Sequence, residues 1–214
     1  MKKSLIIGAG THGEIYASFL KNAGVHVLGF IDDDDSVQDK IINGIEVLGK
    51  YEDLFDNKLK RLATDIYCPI GNNSIRQKYL SELKLEGYQT PSYIHSSVQI
   101  CPDVKLGEAI YMLPGNIILP HTIIGDFFMM SSGSTVGHHV IIEDAVFISS
   151  GINIGASLTI HERAYFGIGS TVMTGVKNIG KDTMIGAGSV VFKDVPDYGV
   201  MAGNPARVIK LKKT

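Results

Sequence analysis

The chain has no tryptophan, only two cysteines and only seven prolines in 214 residues. It also lacks a long apolar run and any block of like charge. Cys68 and Cys101 stand far apart, with neither CxxC nor metal-ligand spacing. That excludes a disulfide-stapled fold and a cysteine-built zinc site, and reduced, mostly buried thiols are expected. Behind Met1-Lys2-Lys3, the apolar residues 5–7 are ended by glycine far too soon for a signal-peptide core or a membrane span. A cytoplasmic location with no membrane contact is therefore expected. Lys and Arg number 20 against 22 Asp and Glu, a formal net charge of −2. With no basic cluster beyond the tail Lys210, Lys212 and Lys213, nothing argues for nucleic acid.

What the chain has is glycine, 24 residues of it, and a period. Every sixth residue from Ile94 is large and apolar: Ile94, Ile100, Leu106, Met112, Ile118, Ile124, Met130, Val136, Ile142, Ile148, Ile154, Ile160, Phe166 and Val172. At the 44% hydrophobic frequency of the chain, fourteen in succession have a chance probability of roughly 10⁻⁵ in one frame. After Val172 the phase slips by one residue and resumes at Ile179, Ile185 and Val191, which predicts a bulge or turn near residues 175–178. Small residues often follow the anchors, as at Gly107, Gly125, Gly137, Gly155 and Gly186. A helix needs period 3.6 and an ordinary strand period 2. A six-residue unit is one short strand plus one corner, and three such units close a triangular coil of about 18 residues. Residues 93–214 are thus expected to form a parallel β-helix with a C-terminal tail.

Residues 1–92 read differently. A strand ending at Ile7 leads into Gly8-Ala9-Gly10-Thr11-His12-Gly13, then a helix with Ile15, Tyr16, Phe19 and Leu20 on one face. A second strand over residues 25–31 ends in Asp32-Asp33. This is a βαβ outline with a GxGxxG turn, whose glycines let the backbone approach a phosphate at the helix N-terminus. Carboxylates at the tip of the second strand can hydrogen-bond a ribose or base edge. A third strand over residues 65–70 and a helix bearing Ile75, Tyr79, Leu80 and Leu83 complete a small Rossmann-like α/β domain. A dehydrogenase using NAD is disfavoured, because the rest of the chain offers no ordinary catalytic domain beside a nicotinamide.

The hexapeptide pattern resembles the left-handed parallel β-helix acyltransferases, and the closing Gly199-Val-Met-Ala-Gly-Asn-Pro-Ala-Arg207 is similar to the end of the coil in that superfamily. Together with GAGTHG, FIDD and IGNNSIR, it resembles the sialic-acid O-acetyltransferase and bacillosamine-pathway N-acetyltransferase family over essentially the whole chain. The resemblance implies an acetyl-CoA-dependent enzyme with no metal and no NAD. The expected acceptor is a nucleotide-linked amino-deoxy sugar, in the form of a 4-amino-4,6-dideoxy sugar for surface glycan. It also implies a homotrimer with its site in the cleft between subunits. By position, Gly10, Thr11, His12, Gly13, Asp32 and Asp33 would hold the nucleotide. Both the glycine turn and the acid pair favour N-acetylation of a nucleotide sugar over O-acetylation of sialic acid.

The stretch from Ser134 to Glu143 matches the family segment that carries the catalytic histidine, which places His138 as base. An imidazole can accept the proton that a sugar amine loses as it attacks a thioester. The family-matched oxyanion corner is Gly155-Ala156, and Ile168, Gly186 and Ala187 match residues that line CoA. One departure is plain: family members follow the histidine with an orienting carboxylate, and here His139 stands there. Glu143, Asp144 or Asp126, from a neighbouring edge or chain, are the candidates for that role. His121 and His139 are one coil apart, so they should stack. That raises a rival, the gamma-class carbonic anhydrases, which bind zinc through histidines of a β-helix. Their ligand spacing is not reproduced around His138 and His161. A non-enzymatic trimeric scaffold is the third reading, and it predicts no acetyl-CoA turnover.

Overall fold

A computed structural model describes residues 3–56, 59, 62, 63 and 65–213. The chain divides into two compact units, Met1–Tyr93 and Ile94–Thr214. In the first, strands β1 (Lys3–Ile7), β2 (His26–Ile31), β3 (Ile41–Ile42), β4 (Ile45–Val47) and β5 (Asp65–Tyr67) form one sheet in the order β3-β4-β2-β1-β5. All neighbours are parallel except β3 and β4. Those two make a hairpin on Asn43-Gly44, whose positive φ angles of 49° and 74° are what a two-residue turn demands. The Asn-Gly pair is a strong turn signal in the sequence itself. The third strand stops at Tyr67 instead of running to Ile70.

Helix α1 (Thr11–Asn22) buries Gly13, Tyr16, Ala17 and Leu20 but leaves Ile15 exposed. Helix α2 (Asn73–Leu85) is capped by the Asn72 side chain, which accepts from the Ile75 amide at 3.1 Å. Its inward face is Asn73, Arg76, Leu80 and Leu83, with Ile75 exposed. Cys68 is fully buried, and burial pushes its thiol up to about 12; Cys101 is half-buried, and neither forms a disulfide.

The second unit is a three-faced parallel coil. Its first face stacks Gln99–Ile100, Ile117–Ile118, Thr135–Val136, Asn153–Ile154, Thr171–Val172 and Val190–Val191. The second stacks Lys105–Leu106, Ile123–Ile124, Ile141–Ile142, Thr159–Ile160 and Asn178–Ile179, and the third ends in a hairpin of Gly199–Gly203 and Ala206–Leu211. Registers advance by one coil, as in Ile118 on Val136 and Val136 on Ile154. The hexad residues fill the interior, joined by a second column two residues earlier that includes Ile110, Phe128, Val140, Val146 and Ile152. Leu106 is 37% exposed, because the first coil has no rung beneath it. The seven-residue interval lies between Val172 and Ile179, where Gly175 takes a φ of 109° and Thr174 bridges Val176. No helix among the described residues is long and apolar enough to cross a membrane.

Candidate active site

Three corners join the faces, and each repeats a backbone device once per coil. From the third face to the first, glycines 115, 133, 151, 169 and 188 adopt φ between 65° and 76°. From the first to the second, His121, His139 and Ser157 adopt φ of 61°, 55° and 59°. These left-handed positions turn the chain, and glycine fills them most cheaply. The histidines at the second corner therefore occupy strained places that a packing requirement does not explain.

His138 lies exposed at that corner. The buried Thr122 hydroxyl donates to the Gly137 carbonyl at 3.0 Å and fixes the residue before it. On the next coil, the Ser157 amide donates to the His138 carbonyl at 3.0 Å. The corner is packed too closely for a side chain at Gly137, where a Cβ would stand 2.6 Å from the Gly155 oxygen. His138 Nδ1 is 3.0 Å from His139 Nδ1, with the rings nearly perpendicular at 88°. His139 packs in turn on His121 at 4.5 Å between centroids, and His121 Nδ1 pairs with the Asp103 carboxylate. Asp103 also accepts from the His121 amide at 2.7 Å, across 18 residues of sequence. That one-coil offset could have disclosed the pair in the sequence.

Gly155 and Ala156 lie one coil further along the same corner. The Gly155 N–H is committed to the Val172 carbonyl at 2.8 Å, whereas no described residue takes up the Ala156 N–H. Of the two, Ala156 has the uncommitted N–H. A groove of about 390 Å³ runs here, with Thr135, Asn153 and Thr171 of the first face and Gly137, His138, Gly155 and Ala156 along its side. Ile168, Gly186 and Ala187 stand at the other edge of that same face. Ile168 is exposed, and the corner is tight enough that a Cβ on Gly167 would meet the Ala187 nitrogen at 2.7 Å.

The carboxylates expected as orienting partners are elsewhere. Glu143, five residues on from His138, already belongs to the next corner, where its Oε1 is 3.1 Å from His161 Nδ1 and its Oε2 accepts from the Glu162 amide at 3.0 Å. Asp126 and Asp144 accept backbone amides of Glu108 and Asp126, each at 2.8 Å. Within the chain, the group against His138 is His139. Among the described residues, no cluster of three or more His, Cys, Asp or Glu side chains could hold a metal ion.

In the first unit, Gly8 has a φ of 96°, Gly10 caps α1, and a Cβ on Gly13 would stand only 1.8 Å from the Gly8 oxygen. That contact is what sets the helix N-terminus against the turn. Thr11 opens the helix, exposed, and burial together with Arg76 lowers the His12 imidazole below its ordinary value. Asp32 accepts from the Ala9 amide at 2.7 Å and the Asp34 amide at 2.9 Å, so it holds the glycine turn. Asp33 accepts from the Tyr51 amide at 2.9 Å and the Tyr79 hydroxyl at 2.7 Å, below a stacked Tyr51–Tyr79 pair. Burial and Asp33 raise the Tyr79 hydroxyl. Sequence reasoning missed both tyrosines, which are distant in the chain.

A three-faced coil of stacked hexapeptides is the architecture of the hexapeptide-repeat acyltransferases. Residues 3–83 match the PglD N-terminal domain. The whole chain is similar to PerB from Caulobacter crescentus, solved with CoA and GDP-perosamine, at 30% identity and a TM-score of 0.89 over 98% of each chain. It is also similar to the acetyltransferase domain of PglB from Neisseria gonorrhoeae in complex with acetyl coenzyme A, at 26% identity and a TM-score of 0.85, covering 97% of this chain and 99% of that one. A dTDP-3-amino-3,6-dideoxy-alpha-D-galactopyranose 3-N-acetyltransferase from Aneurinibacillus thermoaerophilus is 49% identical over 45 residues, 21% of this chain and 23% of that protein. The chain belongs to the PglD-type family of hexapeptide-repeat acetyltransferases.

Proposed function

We propose that the chain transfers an acetyl group from acetyl-CoA to the amine of a nucleotide-linked amino-deoxy sugar, for surface-glycan synthesis. The observation that carries this reading is the pairing, across one coil, of an exposed imidazole at His138 with the uncommitted N–H of Ala156. The full-length likeness to a protein solved with CoA and GDP-perosamine supports it. In the reaction the neutral amine nitrogen attacks the thioester carbonyl. One N–H proton passes to His138, and the oxyanion is met by the Ala156 N–H. Collapse breaks the C–S bond, and the proton goes from His138 to the leaving sulfur. The amide and free CoA result, with His138 restored.

Residues 1–92 would hold the nucleotide, with Gly10, Thr11, His12 and Gly13 presenting the helix N-terminus to phosphate. Asp32 would act through the turn it braces, and Asp33 through the Tyr51–Tyr79 pair. Residues 93–214 would bind acetyl-CoA along the first face, between Ile168, Gly186 and Ala187 at one edge and Gly155-Ala156 at the other. A homotrimer that closes this face with a neighbouring subunit, working in the cytoplasm, is part of the proposal. Thiol release from acetyl-CoA, assayed with UDP-, dTDP- and GDP-linked 4-amino and 3-amino sugars, tests it. His138→Asn should lower kcat by about 10²–10⁴-fold with the KM for acetyl-CoA nearly unchanged. Silence with every sugar, or release only with free sialic acid, would overturn the assignment.

A further inference from the structure

The transfer mechanism needs His138 in one tautomer, and its neighbour decides which. A neutral imidazole has one N–H and one lone pair, and which nitrogen holds which is set by the hydrogen bond the other makes. The two Nδ1 atoms of His138 and His139 are 3.0 Å apart, so one donates and the other accepts. If His139 donates, His138 carries its proton on Nε2 and has no lone pair left for the substrate amine. If His138 donates, its Nε2 is the base.

We infer that His139 is a positioning residue: it accepts the Nδ1–H of His138 and keeps the lone pair on His138 Nε2. The contact between the two Nδ1 atoms is given by the geometry, and the direction of the hydrogen bond rests on the acetyl-transfer reading. Three features hold His139 in place. Its backbone is in the left-handed region, with a φ of 55°, and its ring stands nearly perpendicular to that of His138. Its amide donates to the Pro120 carbonyl at 3.0 Å. Its ring lies on that of His121, which Asp103 fixes through both the amide and Nδ1. With a neutral acceptor there, the proton that His138 gains in the reaction is not stabilised by a charge on its immediate neighbour.

The test uses the full chain and three proteins: wild type, His139→Ala and His139→Asn. Alanine suits the corner, since Ser157 occupies the equivalent left-handed position one coil on with a φ of 59°. Asparagine places Oδ1 at the same bond count from Cβ as the lost Nδ1 and tolerates positive φ. Nitrogen-15 NMR of His138 should find the proton on Nδ1 in the wild type, a mixture in His139→Ala, and Nδ1 again in His139→Asn. Turnover should follow the tautomer. In His139→Ala, kcat should fall by about 10–10²-fold with both KM values held within roughly threefold. His139→Asn should recover much of that loss. A wild-type His138 protonated on Nε2, or an alanine variant with undiminished kcat, would overturn the inference. The NMR arm needs no substrate, so a wild type that releases no CoA with any sugar would count against the transferase reading, while the tautomer would still judge this one.

Discussion

Gly137→Ala adds one methyl group where the coil has no room for it. A Cβ there would stand 2.6 Å from the Gly155 oxygen, 2.7 Å from its carbon and 3.0 Å from the Ala156 nitrogen. All three are backbone atoms, so no side-chain rotation relieves the contact. To regain the 3.4 Å of ordinary contact, the corner must recede by about 0.8 Å, and overpacking of this kind costs roughly 1–3 kcal/mol. For a chain of this size, each kcal/mol lowers the melting temperature by about 2–4 °C. The atoms displaced belong to the Gly155-Ala156 corner, which lines the same groove as His138, and a misplacement near 1 Å in a site costs on the order of 10²-fold in rate. Gly133→Ala is the comparison. Nothing lies within 4 Å of a Cβ there, yet its φ of 72° strains an alanine by roughly 1–2 kcal/mol. Both variants should melt lower. In the thiol-release assay only Gly137→Ala should lose kcat, by about 10²-fold, with the KM for acetyl-CoA little changed. Wild-type kcat in Gly137→Ala, or an equal loss in Gly133→Ala, would refute the claim that corner position sets the rate.

The other expectations follow from the same geometry. Gly13→Ala, with its Cβ 1.8 Å from the Gly8 oxygen, should push α1 off the glycine turn and weaken nucleotide-sugar binding, read by calorimetry, while leaving acetyl-CoA binding intact. Ile142→Ala removes a residue 1% exposed at mid-coil and should cost about 2–5 kcal/mol by denaturant unfolding; Leu106→Ala, at the open first rung, should cost well under half of that. Burial and Arg76 hold the His12 imidazole below its ordinary 6.5, so below that value the unfolded chain binds the proton more readily than the fold. The contribution is therefore complete above about pH 6.5 and is lost as pH falls from there toward the lowered folded value. His12→Asn should flatten that part of the melting-temperature curve, and an unchanged slope would show that His12 does not carry it.

The coil was legible because its period is enforced by burial at every rung, so a single chemical property recurs in a single frame. The slip after Val172 was visible for the same reason, and so was the glycine turn of the front domain. What could not be read was where charged side chains spend their hydrogen bonds. Asp32 and Asp33 read as carboxylates for a ribose or base edge, and the fold adds that they brace the turn and two tyrosines. Glu143, a candidate partner for His138 from a neighbouring edge or chain, stands five residues on in the sequence. On a coil, five residues reach the next corner, and the partner of Glu143 is His161, one full coil away. Distance along this chain counts in coils, and nearness in sequence misleads wherever a corner intervenes.

The same counting explains why the site occurs where it does on a repeating scaffold. A corner that repeats every coil offers the same backbone geometry at each rung, so any rung might seem able to carry the chemistry. Along the corner between the first and second faces, the residue equivalent to His138 is Pro120 one coil earlier and Ala156 one coil later. Proline has neither an imidazole nor an N–H, so the rung before can supply no base. The rung after can supply no base either, but it has an N–H, and no described residue takes up the Ala156 N–H. Beyond it the interval lengthens at Gly175, and the equivalence with the corner below is broken. The proposed base and the proposed oxyanion donor therefore fall at one step of the stack, where an imidazole sits one rung from a residue whose amide is uncommitted. The repeat supplies the geometry everywhere, and two side-chain choices, His138 and Ala156, decide where it can be used.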